Sequence, residues 1–269
     1  MVAAIELPNI RKQFVPDPGY LVVDMDLSGA DAQVVAWEAD DKGMKDAFRA
    51  GMKIHVKNTR DMWPEWADAS DEEIKNAPVY KQNKIFCHAT NYVGSAGTIA
   101  TNTHWPVAFV ADFQRKWFEL HPGIKDWHNR TAEHLDGSRC WNCNFVPDGG
   151  QVCPNCGKSL GRTVKNAFGY RRIYFDWTDK ILPEAIAWIP QSTVAHVTML
   201  GMFRLRDNFD FVQMLMQVHD SLVFQIPKSE ESSLKDIKTE LDQIEVPYPD
   251  PLYIPWGVAV SDETWGHCG

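Results

Sequence analysis

Asp24, Asp26 and Asp31, at the end of an apolar segment, and Asp220, far downstream, are the residues best suited to do chemistry. Asp24 and Asp26 lie within Tyr20-Leu21-Val22-Val23-Asp24-Met25-Asp26-Leu27, and Asp220 within Gln217-Val218-His219-Asp220-Ser221-Leu222-Val223-Phe224. Carboxylates in such surroundings are costly to bury unless their charge is compensated. Cations held between strands are one compensation: two carboxylates bridging two Mg2+ ions can activate an attacking oxygen and stabilise a leaving one. Ordinary strand-end and helix N-terminal acids account for Asp24, Asp26 and Asp31 at least as well when these are taken alone. The apolar hairpin around His219-Asp220 shifts the balance toward metal, because its turn offers a carboxylate that can converge on a neighbouring strand.

A second cluster is made of cysteines. Cys140-Trp141-Asn142-Cys143 and Cys153-Pro154-Asn155-Cys156 form two C-x2-C pairs separated by nine residues. Each pair places two thiolates on one turn, and two turns complete a tetrahedral, closed, structural Zn2+ site. Two disulfides are the alternative, but the absence of a signal-peptide pattern points to a reducing compartment. The site either staples an excursion too short to bury its own core or meets nucleic acid through its basic neighbours. Cys87 and Cys268 fall outside the pattern, as core and tail residues.

Lys84, His88 and Tyr92 recur at i, i+4 and i+8, one stripe of a helix. A solvent-facing lysine with half-buried rings accounts for them; so does a lysine reaching a polyphosphate while rings stack on bases. The net charge of −9 argues mildly against nucleic acid. Distribution matters more: residues 149–175 contain no acid but include Lys158, Arg162, Lys165, Arg171 and Arg172. A solvated surface and a phosphate-facing patch explain that window equally well. No apolar run approaches the ~18 residues of a membrane span, and the reading is of a cytosolic protein with no membrane partner.

Positioning these groups requires a strand over Tyr20–Leu27 and a helix from Ala30 to Gly51, with Val34, Trp37, Met44 and Phe48 inward. Ser70-Asp71-Glu72-Glu73 carries a capping signal. A helix from Val79 loosens near Gly94, and another runs from Pro106 to a stop at His121-Pro122-Gly123. Further expectations are a helix from about Pro190 to Arg204 and two strands over 212–226 meeting at His219-Asp220. A helix over Ser232–Ile244 and a last strand over Leu252–Val260 follow. Strands at both ends with helices between predict an α+β sheet built from sequence-distant segments.

Taken together, the motifs resemble family A DNA polymerases of the polymerase I and phage type. Asp26-Leu27-Ser28-Gly29-Ala30-Asp31 resembles motif A (D-x-S-x-x-E), the Lys84–Tyr92 stripe motif B (K-x3-[FYH]-x3-Y), and Gln217-Val218-His219-Asp220-Ser221 motif C (Q-V-H-D-E). Between and around them, Lys53-Ile54-His55, Leu120-His121-Pro122-Gly123, Gly169-Tyr170-Arg171-Arg172-Ile173, Ile189-Pro190-Gln191-Ser192 and Glu263-Thr264-Trp265 resemble further family landmarks, in order. Departures are Tyr80 where motif B has Arg, Asp31 for Glu, Val93 for Gly and Ser221 for the acid after the motif C Asp. Asp24 has no counterpart.

The resemblance implies template-directed DNA synthesis in phage or bacterial replication, with dNTP and primer-template DNA as partners, in the cytoplasm of a bacterium or infected host. It assigns two catalytic Mg2+ ions to Asp26 and Asp220, aided by the Leu27 carbonyl, and triphosphate contact to Lys84. Asp31, His88 and Tyr92 would bind the nucleotide; Gln191, His219, Arg171 and Arg172 would meet DNA. The implied fold is α+β: a palm sheet from residues 1–36 and 186–269, and helical fingers over 37–185 with a zinc ribbon inserted at 138–160. Leu7-Pro8-Asn9-Ile10-Arg11 resembles only the tail of a preceding palm segment, so no thumb or exonuclease domain is expected here. The chain reads as either a fragment or the C-terminal half of a split polymerase, with a second polypeptide supplying them in the latter case. The rival is a catalytically silent, DNA-binding, polymerase-like subunit; a two-metal nuclease is less favoured.

Overall fold

Alternating apolar residues in Tyr20–Leu27 and a two-residue turn at His219-Asp220 dictate strands, and strands form there. The computed structural model describes residues 8–176 and 178–268. Leu7 and the remainder of residues 1–7, assigned above to the first palm segment, lie outside the described residues. In chain order the elements are β1 (Tyr20–Leu27), α1 (Ala30–Glu38), α2 (Lys42–Arg49), α3 (Ile54–Met62), α4 (Asp71–Asn76), α5 (Pro78–Asn91), α6 (Ala96–Thr103), α7 (Val107–Leu120) and α8 (Pro122–Asp136). There follow β2 (Thr163–Lys165), β3 (Arg171–Ile173), α9 (Thr178–Asn208), β4 (Gln213–Val218), β5 (Ser221–Pro227), α10 (Leu234–Asp242), β6 (Glu245–Val246), β7 (Leu252–Tyr253) and β8 (Trp256–Ser261). No helix among the described residues is long and apolar enough to cross a membrane. Two compact units result: Met1–Ala30 with Val194–Gly269, and Asp31–Thr193.

The first unit is a four-stranded sheet in the order β4-β5-β1-β8, antiparallel at every pairing. Its middle strands, β1 and β5, are buried on both faces, so Val22, Val23, Met25, Val223 and Phe224 are almost fully covered. Fully burying a side chain of this size is worth about 1.5–3 kcal/mol. The sheet accepts the C-terminal part of α9 closely: a Cβ on Gly201 would lie 3.1 Å from both Leu222 and Trp256. Cys268 is a core residue rather than a tail residue, packed with Val22, Val223 and Trp265.

In the second unit, Trp63, Phe86, Trp105, Phe109 and Phe113 pack ring against ring with centroids 4.5–6.4 Å apart. The indole N–H groups of Trp63 and Trp117 donate to the buried amides Asn83 and Asn91, at 3.1 and 2.9 Å. The capping box forms as its sequence dictates: Ser70 caps α4, and Glu73 reaches back to the Ser70 N–H.

Several boundaries differ from expectation, each for a local reason. The single helix over Ala30–Gly51 is two, because Asp40 takes a left-handed φ of +49° and Asp41 caps the second by accepting from the Met44 N–H. His121-Pro122-Gly123 stops α7 but also starts the unforeseen α8, since proline suits the first helical turn. Gly123 is required there: a Cβ would lie 2.3 Å from the Ala39 carbonyl oxygen. α9 begins at Thr178 rather than near Pro190 and contains both Pro183 and Pro190. The Thr193 hydroxyl donates to the Ile189 carbonyl beside Pro190, and burial of Ala185, Ile186 and Ile189 outweighs the lost backbone bonds. The last strand is split at Pro255 into β7 and β8, with β7 paired to the unforeseen β6.

α5 ends in a backbone conformation that the sequence resists. Val93 has φ +61°, its N–H donates to Thr90, and the Gly94 N–H donates to Ala89 at 2.7 Å. That is a glycine-type helix stop occupied by a β-branched residue, at the position where motif B has Gly. Left-handed backbone costs an L-residue about 1–2 kcal/mol, partly offset in Val93→Gly by the extra freedom of the unfolded chain. Thermal unfolding of Val93→Gly is therefore expected to show a gain of about 1 kcal/mol and roughly 2–4 °C in Tm; an unchanged or lower Tm contradicts this account.

Candidate active site

The strand–turn–strand geometry of the first unit brings the two outlying acids together. Asp26 pairs in register with Ser221 on β5, one residue from Asp220. The Leu27 N–H donates to the Asp220 carbonyl at 3.1 Å, tying the end of β1 to the β4–β5 turn. That turn is sharp, with His219 exposed and left-handed at φ +54°. Partial desolvation, then the Asp220 carboxylate, then that of Asp24, push the pKa of Asp26 upward. The charges weighing on Asp26 are thus negative, and carboxylate oxygens gathered without a compensating cation suit a hard divalent ion.

Three residues that build this corner were not singled out for it by the sequence. Gly257 faces Asp26 from β8, and a Cβ there would lie 2.7 Å from Asp26 Oδ1. A glycine between Trp256 and Val258 in a strand was the available signal of a close approach. Asp24 is buried, accepting from the Ser221 hydroxyl and, at 2.6 Å, from the Trp265 indole N–H. Ser221 and Trp265 lie 197 and 241 residues along the chain from it, beyond any local pattern.

In the second unit, Lys84 and His88 lie on the exposed face of α5 and half-buried Tyr92 caps its end, while Phe86 and Cys87 on the opposite face are buried. The His88 and Tyr92 rings meet edge-on at 4.4 Å. Asp31, half-buried near the start of α1, bears on both: its charge partly offsets the partial desolvation that lowers the pKa of the otherwise exposed His88, and adds to the burial that raises the Tyr92 pKa. His55 of α3 stacks edge-on with Tyr80 at 6.3 Å, and burial with Lys84 and His88 nearby holds its pKa down to about 4. Its Nδ1 is buried without a hydrogen-bond partner among the described residues. Asp31, His55, Lys84, His88 and Tyr92 thus form one polar corner.

The remaining expected residues of that unit lie on other elements. Gln191 is exposed on α9, and Arg171 is exposed on β3, paired in register with Lys165. Arg172 is already engaged by Glu184 and covers the Tyr174 ring at 5.0 Å.

Cys140, Cys143, Cys153 and Cys156 converge with all four sulfurs within 4.8 Å of one another. The spacings Cys140–Cys156 and Cys143–Cys153 are 3.6 and 3.7 Å, matching the roughly 3.8 Å edge of a tetrahedron with Zn–S bonds of about 2.3 Å. The two knuckles repeat one backbone pattern. Asn144 and Gly157 donate to the carbonyls of Cys140 and Cys153 at 2.9 Å, and the N–H groups of those cysteines donate to Phe145 and Lys158 at 2.8 Å. Asn144 and Gly157 are correspondingly left-handed, at φ +60° and +70°. Burial raises the Cys140 pKa to about 11, whereas the Asn155 amide and Phe145 N–H bring that of Cys143 to about 6. The site fits zinc.

Comparison with known proteins places this arrangement in a family. The family model for DNA polymerase family A matches residues 3–145, just over half of the chain. The chain is 24% identical over 266 residues to the thermostable DNA polymerase I of Thermus aquaticus, covering 96% of this chain and 28% of that one. It is 26% identical over 245 residues to DNA polymerase I of Deinococcus radiodurans, covering 89% and 23%. It thus spans 23–28% of the length of these curated relatives. The POL domain of Pol1 from M. smegmatis, solved in complex with DNA primer-template and dNTP, shares its fold with a TM-score of 0.74 at 16% identity, over 98% of this chain and 44% of that one. With the family model covering more than half of its residues, the chain belongs to DNA polymerase family A.

Proposed function

We propose that this chain carries the nucleotidyl-transfer centre of a template-directed DNA polymerase. The observation that supports this most is the meeting of Asp26 and Asp220 at one corner of the sheet in a family A fold. In this reading the sheet unit is the palm, Asp31–Thr193 the fingers, and the four-cysteine excursion a zinc ribbon stapled by a structural Zn2+. The compact units divide at 30/31 and 193/194 rather than at the expected 36/37 and 185/186. Asp26 and Asp220, with the Leu27 carbonyl, would hold two Mg2+ ions, which when bound would supply charge neutralisation and acidify the primer hydroxyl.

The primer 3′-hydroxyl gives its proton to solvent as its oxygen attacks the α-phosphorus of a dNTP; the bond to the bridging oxygen breaks and pyrophosphate leaves. Lys84 binds the triphosphate and gives its proton to the pyrophosphate. His88, its pKa lowered by partial desolvation, is neutral at physiological pH and offers an uncharged ring to the sugar and base. Tyr92, its pKa raised, keeps its phenolic proton and lies on the template side. Asp31 limits space at the sugar 2′ position, one methylene shorter than the glutamate of motif A. Gln191, His219, Arg171 and Arg172 meet the primer-template.

Primer extension tests the proposal. With Mg2+, a DNA primer-template and dNTPs, the labelled primer is expected to grow by the base the template specifies. Activity no greater than that of Asp220→Asn overturns the polymerase reading in favour of a silent subunit, and shortening of the primer without dNTP favours a nuclease. The expected thumb-bearing second polypeptide is tested in the same assay: processive extension by this chain alone at physiological salt overturns it.

A further inference from the structure

Asp24 is a buried carboxylate to which the proposed chemistry gives no task. Its partners are both neutral: Ser221 donates its hydroxyl to Oδ1 and Trp265 its indole N–H to Oδ2. The carboxylate accepts both bonds in a strand whose flanking positions are apolar and covered. Burying a carboxylate is expensive, and the geometry around this one points to what it does. Ser221 directly follows Asp220 and sits opposite Asp26 in the β1–β5 register. Asp24 shares a strand face with Asp26, two residues away. Ser221 is also where motif C carries an acid.

We infer that Asp24 is a positioning residue for the Asp26–Asp220 pair, restoring from the neighbouring strand the negative charge that Ser221 leaves missing after Asp220. Through Ser221 it fixes the residue that follows Asp220, through Trp265 it pins the C-terminal turn against β1, and its charge adds to the attraction of the corner for divalent cations. The acid has moved across a strand pair, and the hydroxyl now at the motif C position is its hydrogen-bond donor. This inference rests on the polymerase reading of the Asp26–Asp220 pair.

The test uses the full chain and reads Mn2+ binding by paramagnetic resonance, with thermal unfolding and the split between kcat and KM for dNTP recorded alongside. Variants are Asp24→Asn, Asp24→Ser, the exchange Asp24→Ser with Ser221→Glu, and Asp220→Asn as the reference. Losing the acid on the strand face of Asp26 is expected to weaken Mn2+ about tenfold in Asp24→Asn and Asp24→Ser, with kcat falling more than KM rises. The exchange variant, which returns an acid to position 221, is expected to recover most of that loss. If Asp220→Asn weakens Mn2+ while the Asp24 variants bind it as the parent does, the inference is overturned and the polymerase reading stands. A lowered Tm with unchanged Mn2+ affinity, or an exchange variant with parental Tm and no recovery, overturns it too. If Asp220→Asn itself leaves Mn2+ binding unchanged, the metal-site reading fails and takes this inference with it.

Discussion

Asp26→Asn and Asp220→Asn are each expected to lower single-nucleotide incorporation about a thousandfold or more, the equivalent of about 4 kcal/mol of lost transition-state stabilisation. For Asp26 the same change is expected to leave the fold as stable or more stable when no divalent ion is present. Its pKa is raised in the folded state by desolvation, Asp220 and Asp24, so the folded protein binds this proton more tightly than the unfolded chain does. Stability from this group is therefore present at acidic pH and lost as pH rises through the carboxylate range. Asparagine removes the charge that causes the loss. Opposite movements of activity and metal-free Tm distinguish a functional carboxylate from a structural one. A fall of both together in Asp26→Asn contradicts the assignment. Measuring incorporation and unfolding on the same samples decides it.

Removing zinc is expected to have the other large effect. The excursion from Cys140 to Cys156 contains no regular strand or helix, and its two knuckles are held by backbone turns around the sulfurs. Zinc binding in small domains of this sort contributes about 10–16 kcal/mol of apparent folding free energy. Cys153→Ser, or chelation under denaturing stress, is expected to open residues 140–160 to rapid hydrogen exchange while leaving β1 and β5 of the sheet unit protected. Thiol modification is expected to release one zinc per chain, and Co2+ in its place to show thiolate charge-transfer absorption. Release of no metal, with two disulfides found by mass spectrometry, contradicts the zinc assignment.

Those elements whose signals are local were the ones legible in the sequence. β1, the His219-Asp220 turn, the Ser70 capping box and the two cysteine knuckles each depend on residues within a few positions of one another, and each forms as read. The apolar hairpin around His219-Asp220 pointed to a carboxylate converging on a neighbouring strand, but the pairing of Asp220 with Asp26 was legible only through the order of motifs, since no periodicity links positions so far apart. α8 was hidden because Pro122 serves a stop and a start equally well. α9 was read too short because proline is costly in an isolated helix, whereas here tertiary burial decides. The surroundings of Asp24 had no local signal at all, since its donors come from the other end of the chain.

The pairing of β1 exclusively with C-terminal strands also sets a timetable for synthesis. At about 5–20 residues per second, the interval between Asp26 and Asp220 leaving the ribosome (220 − 26 = 194 residues) is about 10–40 s. During that time β1, among the most apolar strands of the sheet, has neither of its neighbours β5 and β8. The helical unit, complete by Thr193, can bury its aromatic core first. Synonymous codon changes that slow translation across residues 194–261 are therefore expected to lengthen the period in which β1 is open to chaperones or to mispairing.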